Sequence, residues 1–468
     1  MSSKEKLNEI VFTVRKKLPL KIYFAYGMGH VLNDVCAAIW FSYLLVYFQL
    51  VLKFSNNQAG VLLLIGQVAD AVATPFVGYH SDKDYDCFFY RFGKRKIWYF
   101  IGTICVIVTF PFIFSPCVGC RTQTATVVHM VYYSIFIIIF QFGWAAVQIS
   151  HMALIPEITP RENQRTKLAA IRNGATVFAS IFVYLVAWGV LRVTEGTEST
   201  ISPDDIGKFR VIVWSVMCFG IVCSIIFFLN IRELKIQKNT ALSEESMKKS
   251  KTMDIFKNVN LYLVGVVYMS SRLFLNLTQV FLSLYLVETL GMVASALALV
   301  PLAMYIASFI AAIPVGMITK HVGRKVTYIL GAVLGIVGCI WIHWGYGDIY
   351  VTYLIFVVVA LLGSGTAIVM ISSLDITTDL IGTKTNSGAF IYGIMSFLDK
   401  LTNGIAIELI QYFHGSKTNI NYYRDVMTYA TGGAVLLGST AVIIIKNRKS
   451  YKEENQEETD SRVIHTIT

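Results

Sequence analysis

Twelve long apolar segments constrain this chain more than anything else in it. They lie at roughly 22–51, 57–81, 97–116, 126–156, 167–191, 208–230, 258–288, 292–319, 325–345, 350–380, 387–413 and 425–445. Most are long enough to cross a hydrocarbon core of about 30 Å. Within lipid the backbone has no water to bond to, so such spans must be helical. The expectation is an all-α polytopic membrane protein. With 55% hydrophobic and 15% charged residues, the composition excludes an ordinary soluble domain. No cleavable leader is expected, because the first 21 residues are rich in Lys and Arg and the apolar run after them is too long.

The spacing between segments groups them as six plus six. Residues 1–21 form an N-terminal segment, 22–230 a first six-helix bundle, 231–257 a charged linker, 258–446 a second bundle and 447–468 a polar tail expected to be disordered. The formal net charge is +11, and most of the 40 Lys and Arg fall in the N-terminus, in every second loop and in the tail. That asymmetry predicts orientation, with both termini and the linker cytosolic. The basic excess therefore marks membrane topology and contact with lipid, not nucleic acid. The eight cysteines form no secreted disulfide framework. Cys117 and Cys120, in "SPCVGC", fall on the expected non-cytosolic side. They are either a small disulfide or two free thiols in a tight turn. With no other ligands close in sequence, no metal is expected.

The two halves share a weak repeat. Gly78, Asp82 and then Gly93 with Arg95 follow the second span. Gly316, Lys320 and then Gly323 with Arg324 follow the eighth. The glycines are expected to allow close helix packing and the basic residues to anchor a cytosolic loop. The pair resembles the loop signature of the major facilitator superfamily, which implies rigid-body motion of two bundles.

A charged side chain at the bilayer centre costs about 3 kcal/mol or more, so those that persist are paired or line a watery cavity. Asp34, Asp70, Arg272, Asp399 and Lys400 lie well inside their spans. His30 and Asn33 share a face with Asp34. Thr74 lies one turn from Asp70, Asn276 one turn from Arg272, and Gln148 and Arg172 lie in the fourth and fifth spans. Each polar residue taken alone is equally interhelical glue. Together the charges predict a polar cavity between the halves. Asp399 and Lys400 are helical neighbours pointing about 100° apart, so each needs a partner on another helix. Asp34 or Asp70 suits Lys400, and Arg272 suits Asp399.

"YGMGHVLND" and "DAVATPFVG" resemble signatures of the glycoside–pentoside–hexuronide cation symporters. The resemblance implies that Asp34 is a substrate ligand, Asp70 a cation-site carboxylate, and Arg172 and Lys400 members of the same site. Thr74 and Gln148 stand where that family has carboxylates, which removes sodium ligands. "GHVLNDVCA", "GQVADAVATPFVGY", "FPFIFSPCVGC", "IFQFGWAAVQISH" and "TDLIGTKTNSGAFIYGIMSFLDK" resemble, more specifically, an animal branch of the superfamily. That resemblance implies a lysosomal and melanosomal protein needed for cysteine import, and so for pigmentation.

The expected activity is alternating-access transport of cysteine by a monomer, without cofactor. Arg172 or Arg272 would hold the substrate carboxylate and Asp34 its ammonium, with His30, Asn33, Gln148 and Asn276 around them. A coupling proton would move through Asp70, Thr74, Asp399 and Lys400. The rivals are a sugar–cation symporter and a non-transporting receptor or scaffold. No nucleophile–base set or phosphate loop suggests an enzyme.

Overall fold

The structure is a computed structural model that describes residues 18–82, 93–121, 123–159, 161–193, 200–231, 259–381, 385–414 and 419–445. The linker, the tail from 446 and the insert at 83–92 lie outside the described residues, and so do the expectations made for them. Twelve long helices are present among the described residues. The first half comprises α1 (Leu20–Val51), α2 (Asn56–Asp82), α3 (Lys94–Ile113), α4 (Thr126–Ala153), α5 (Glu162–Val193) and α6 (Ile206–Asn230). The second comprises α7 (Val259–Leu284), α8 (Ala296–Val322), α9 (Arg324–His343), α10 (Ile355–Ile381), α11 (Thr385–His414) and α12 (Thr431–Ile444). Eleven of the helical segments are long and apolar enough to cross a membrane, and α11 completes the set.

The halves are built alike. α3 packs on α4 in the first and α9 on α10 in the second. Lipid offers no hydrophobic drive for helices to associate, so close backbone approach through small residues carries the packing. At Gly102 of α3 and Gly143 of α4 a Cβ on either glycine would collide with the other helix's backbone. Between α9 and α10, a Cβ at Gly365 would meet the backbone at Gly331 and Gly335, and one at Gly331 would meet the Ile368 side chain. Val72, Phe76, Ile104 and Val108 are exposed, a pattern that suits contact with lipid chains.

Lysines also repeat between the halves. Lys96 donates to the carbonyls of Phe228 and Ile231, both 2.8 Å away at the end of α6. Lys325 donates to the Ile445 carbonyl at the end of α12. In each case an ammonium satisfies terminal carbonyls and complements the negative end of a helix dipole. The glycines of the loop repeat behave differently from expectation. Gly93 (φ 107°) and Gly323 (φ 86°) hold left-handed conformations that begin α3 and α9, where a side chain would be strained. At Gly78 and Gly316 nothing among the described residues lies within 4 Å of where a Cβ would sit. The expected close packing at these two positions is therefore absent in this conformation, because no neighbouring helix reaches them. Arg95 ties the region together, donating to Ser81 Oγ at 2.8 Å and facing Glu157 at 3.4 Å. Asp82 ends α2.

α2 packs on α11, α5 on α8 and α1 on α7. These pairs join the halves. Several of their contacts gather at the end of the bundle that also carries Cys117, called here the Cys117 end. Tyr43 of α1 donates to the Leu297 carbonyl of α8 (3.1 Å). The Tyr184 and Tyr305 rings of α5 and α8 lie 5.2 Å apart. Asn56 of α2 meets His414 of α11. At the same end four wide π-type turns occur, at Tyr47–Val51, Tyr285–Thr289, Tyr350–Leu354 and Val426–Ala430.

Candidate substrate site between the halves

In α1 a turn at Gly29–His30 interrupts the helix, so that its second part starts at Val31 with Asp34 in the first turn. A carboxylate there faces the positive end of the helix dipole. The interruption is well supported. Tyr99 donates to the Gly29 carbonyl (2.8 Å). Tyr26 donates to the His151 carbonyl (3.0 Å), while His151 Nε2 donates back to the Tyr26 carbonyl (2.9 Å). His151 is thus bound into the frame of the site and stacks on Tyr26.

His30 links two opposite charges. Its Nδ1 lies 2.9 Å from Asp34 Oδ1, and Arg172 Nη2 lies 3.0 Å from its Nε2. Guanidinium only donates, so Nε2 must accept and the single ring proton sits on Nδ1, pointing at Asp34. The imidazole is therefore neutral and conducts the positive field of Arg172 to the carboxylate. Thr176, one turn from Arg172 on α5, donates to Asp34 Oδ2 at 2.9 Å. Arg172 Nε remains buried with no hydrogen-bond partner among the described residues. Asn33 points away from this chain of contacts and donates to the Trp144 carbonyl (3.0 Å). Gln148 is half-buried and makes no hydrogen bond to the described residues.

The second half contributes α7 and α11. Arg272 Nε lies 3.9 Å from Asp399 Oδ2, an ion pair but too long for a hydrogen bond, and this Nε is also buried without a partner. Its Nη2 reaches Tyr268 Oη at 3.4 Å. Asn403 donates to Asp399 Oδ1 at 2.6 Å. Asn276 is half-buried one turn from Arg272. Further along α7, Gln279 donates to Tyr305 of α8.

Lys400 joins the halves. Its Nζ lies 2.5 Å from Asp70 Oδ1 and 2.5 Å from Thr74 Oγ1, both on α2, and Thr74 donates to the same Asp70 oxygen at 3.1 Å. Asp70 is 1% exposed. The two charges of α11 therefore reach different helices, Asp399 towards α7 within its own half and Lys400 across to α2. Pro75 takes a backbone hydrogen bond out of α2 directly after Thr74.

Some of the polar setting was not anticipated. Ser42 and Tyr184 are 2.6 Å apart, and with Tyr305 they form a tyrosine cluster between α1, α5 and α8. Buried tyrosines look like ordinary apolar residues in a hydropathy pattern, so only their hydroxyl partners reveal them. Cys117 and Cys120 are joined by a disulfide across a turn that Gly119 (φ +83°) makes possible. His129, from the first turn of α4, brings its nitrogen within 4.8 Å of both sulfurs. The sequence reading passed over His129, nine residues after Cys120, because only the fold of the intervening turn shows that it comes back to the cysteines. With the sulfurs bonded to each other, the group offers a cation only the imidazole.

The model of the family described as MFS/sugar transport protein matches residues 25–415. Major facilitator superfamily domain-containing protein 12 of Homo sapiens is 38% identical over 442 residues, covering 89% of this chain and 91% of that one. The Mus musculus protein of the same name is 35% identical, covering 91% and 93%. Among solved structures, the crystal structure of a D-xylose-proton symporter matches with a TM-score of 0.68 at 15% identity, covering 91% of this chain and 97% of that one. Two six-helix halves meeting at a charged site thus coincide with a match across most of the chain. The protein belongs to the MFS/sugar transport family of the major facilitator superfamily, a family of secondary transporters and not of enzymes, and is a homologue of major facilitator superfamily domain-containing protein 12.

Proposed function

We propose that the protein imports cysteine into lysosomes and melanosomes by alternating access, with both termini in the cytosol. The carrying observation is that Arg172 and Arg272 each keep a buried Nε–H without an acceptor. A buried donor left unpaired is costly, and a carboxylate is the group that best satisfies a guanidinium. Asp34 offers the complementary sign. Its oxygens accept from His30 and Thr176, and each has a second lone pair for a substrate ammonium. A zwitterion therefore finds both charges, and cysteine is the zwitterion that the sequence resemblance implies. Lys400 and Asp70 form the coupling pair. A proton on the carboxylate would remove the charge attraction that ties α11 to α2, which lets the halves rock.

The test is uptake by purified full-length protein in liposomes. Labelled cysteine should accumulate, while cystine and melibiose should not, and a pH gradient should change the rate. Uptake of melibiose in preference to cysteine would replace this reading with sugar–cation symport. Absence of transport of any of these, with the protein folded, would favour a receptor or scaffold.

A further inference from the structure

We propose that protons reach the Asp70–Lys400 pair from the Cys117 end through the α2–α11 interface, with Glu408 as the relay carboxylate and His414 at its mouth. This rests on the coupling role proposed above for Asp70 and Lys400. The interface is polar along its length, from Asn56 against His414 down to Asp70 against Lys400. Between these ends each helix places a glycine opposite a polar side chain of the other. A Cβ at Gly60 of α2 would collide with Glu408, and a Cβ at Gly404 of α11 would collide with Gln67. The two missing side chains make room for a carboxylate and an amide between helices that otherwise pack closely.

Those groups are not used up by the fold. Glu408 Oε2, Gln411 Nε2 and Asn403 Oδ1, all on α11, are buried without a hydrogen-bond partner among the described residues. Buried polar atoms of this kind need a proton or water to complete them. Glu408 faces Gly60 and Gln411 and no charged group among the described residues. His414 lies 3.8 Å from Glu288 of the wide turn that follows α7, which itself faces Lys53, and packs against the rings of Tyr422 and Tyr423. Along α11, His414 is about 9 Å from Glu408 and Glu408 about 12 Å from Lys400, at 1.5 Å per residue. Gln67 and Asn403 fill the longer interval.

A proton taken onto Glu408 passes to Asp70. Glu408 returns to a carboxylate and Asp70 becomes a neutral acid. Lys400 keeps its own proton and loses its counter-ion, which releases α11 from α2. After the halves rock, Asp70 releases the proton to the opposite face and re-forms its pair with Lys400, so that a proton crosses the membrane in each cycle.

The experiment uses full-length protein in liposomes with labelled cysteine, measuring uptake with a pH gradient and counterflow exchange at equal pH. In Glu408→Gln the stimulation by the gradient should fall at least about tenfold, with counterflow within about twofold of wild type. His414→Gln should show a smaller loss of the same kind. Gly60→Ala, which displaces Glu408 without removing it, should also lose stimulation. A readout independent of substrate is the infrared difference spectrum between acid and neutral pH, in which a carboxylic-acid band should vanish in Glu408→Gln. Full gradient stimulation in Glu408→Gln and His414→Gln would overturn the path while leaving cysteine transport intact. Loss of counterflow equal to the loss of stimulation in folded Glu408→Gln would overturn it too, by making Glu408 part of the transport step itself. If the wild type carries no cysteine, the proposed function fails, and the infrared band alone decides the path: its presence supports Glu408 as a proton acceptor, its absence refutes it.

Discussion

Replacing Lys400 by Met tests the junction of the halves most directly. The change keeps the length and bulk of the side chain and deletes the ammonium that lies 2.5 Å from Asp70. Removing one partner of a buried pair costs about 3–5 kcal/mol when the other charge is stranded. Asp70 has an escape, because neutralising an ordinary aspartate at pH 7 costs about 4 kcal/mol, ~3 pH units at 1.36 kcal/mol each. The penalty is therefore capped at about 4 kcal/mol at pH 7 and falls to about 1.5 kcal/mol at pH 5, since each unit of acid makes the proton cheaper. Lys400→Met should thus fold, be less stable than wild type at neutral pH and regain stability as the pH falls. Adding Asp70→Asn removes the stranded carboxylate and should restore neutral-pH stability. Neither variant should transport, because in both the ion pair that the proton makes and breaks is gone. Thermal unfolding in detergent at pH 5 and 7.5, with cysteine uptake in liposomes, measures both parts. Near-normal uptake by well-folded Lys400→Met would refute the coupling role and leave Lys400 as a structural charge. Equal destabilisation at both pH values would refute the energetic account.

The two arginines are expected to act on binding: Arg272→Ala and Arg172→Ala should each raise the apparent KM for cysteine on the order of tenfold, the worth of one or two charge-assisted hydrogen bonds, and unchanged KM in both would remove the carboxylate clamp. Gly102→Val should destabilise the first half by about 1–3 kcal/mol, because the new side chain meets the backbone of α4 at Gly143 and Val147; unaltered thermal stability would contradict the close contact. Lys248 in the linker should react with membrane-impermeant amine reagents only from the cytosolic face, and labelling from the lumen would reverse the assigned orientation.

The helices were legible because hydropathy is local. A run such as 208–230 must cross the membrane whatever its neighbours are, and α6 occupies Ile206–Asn230. The division of Asp399 and Lys400 between two helices was legible for the same kind of reason, since adjacent residues on a helix face apart. The loop glycines were legible as important but for the wrong reason. Gly93 and Gly323 are required by a backbone angle, whereas Gly78 and Gly316 have open space among the described residues where a side chain would sit, and a motif does not distinguish the two cases.

Partners were legible only in part: Arg272 was expected beside Asp399 and lies there, whereas the partner of Lys400 was left open. Asp34 and Asp70 were equal candidates for Lys400, and the packing of α2 on α11 brings Asp70 to it, while α5 supplies Arg172 and Thr176 around Asp34 through His30. Glu408 passed unnoticed because it lies five residues from the end of its predicted span, 387–413, where a carboxylate can reach the membrane surface, unlike Lys400 at mid-span. Its setting, a glycine on another helix 348 positions away in the chain, exists only after the halves meet. The sequence by itself determined that twelve helices cross a membrane in two sets of six and that several charges must hide between them, because the cost of exposing a backbone or a charge to lipid is paid residue by residue. Which charge meets which, and which buried atoms are left wanting a proton or a ligand, only the tertiary structure decided, because those energies depend on distances between residues that the chain keeps far apart.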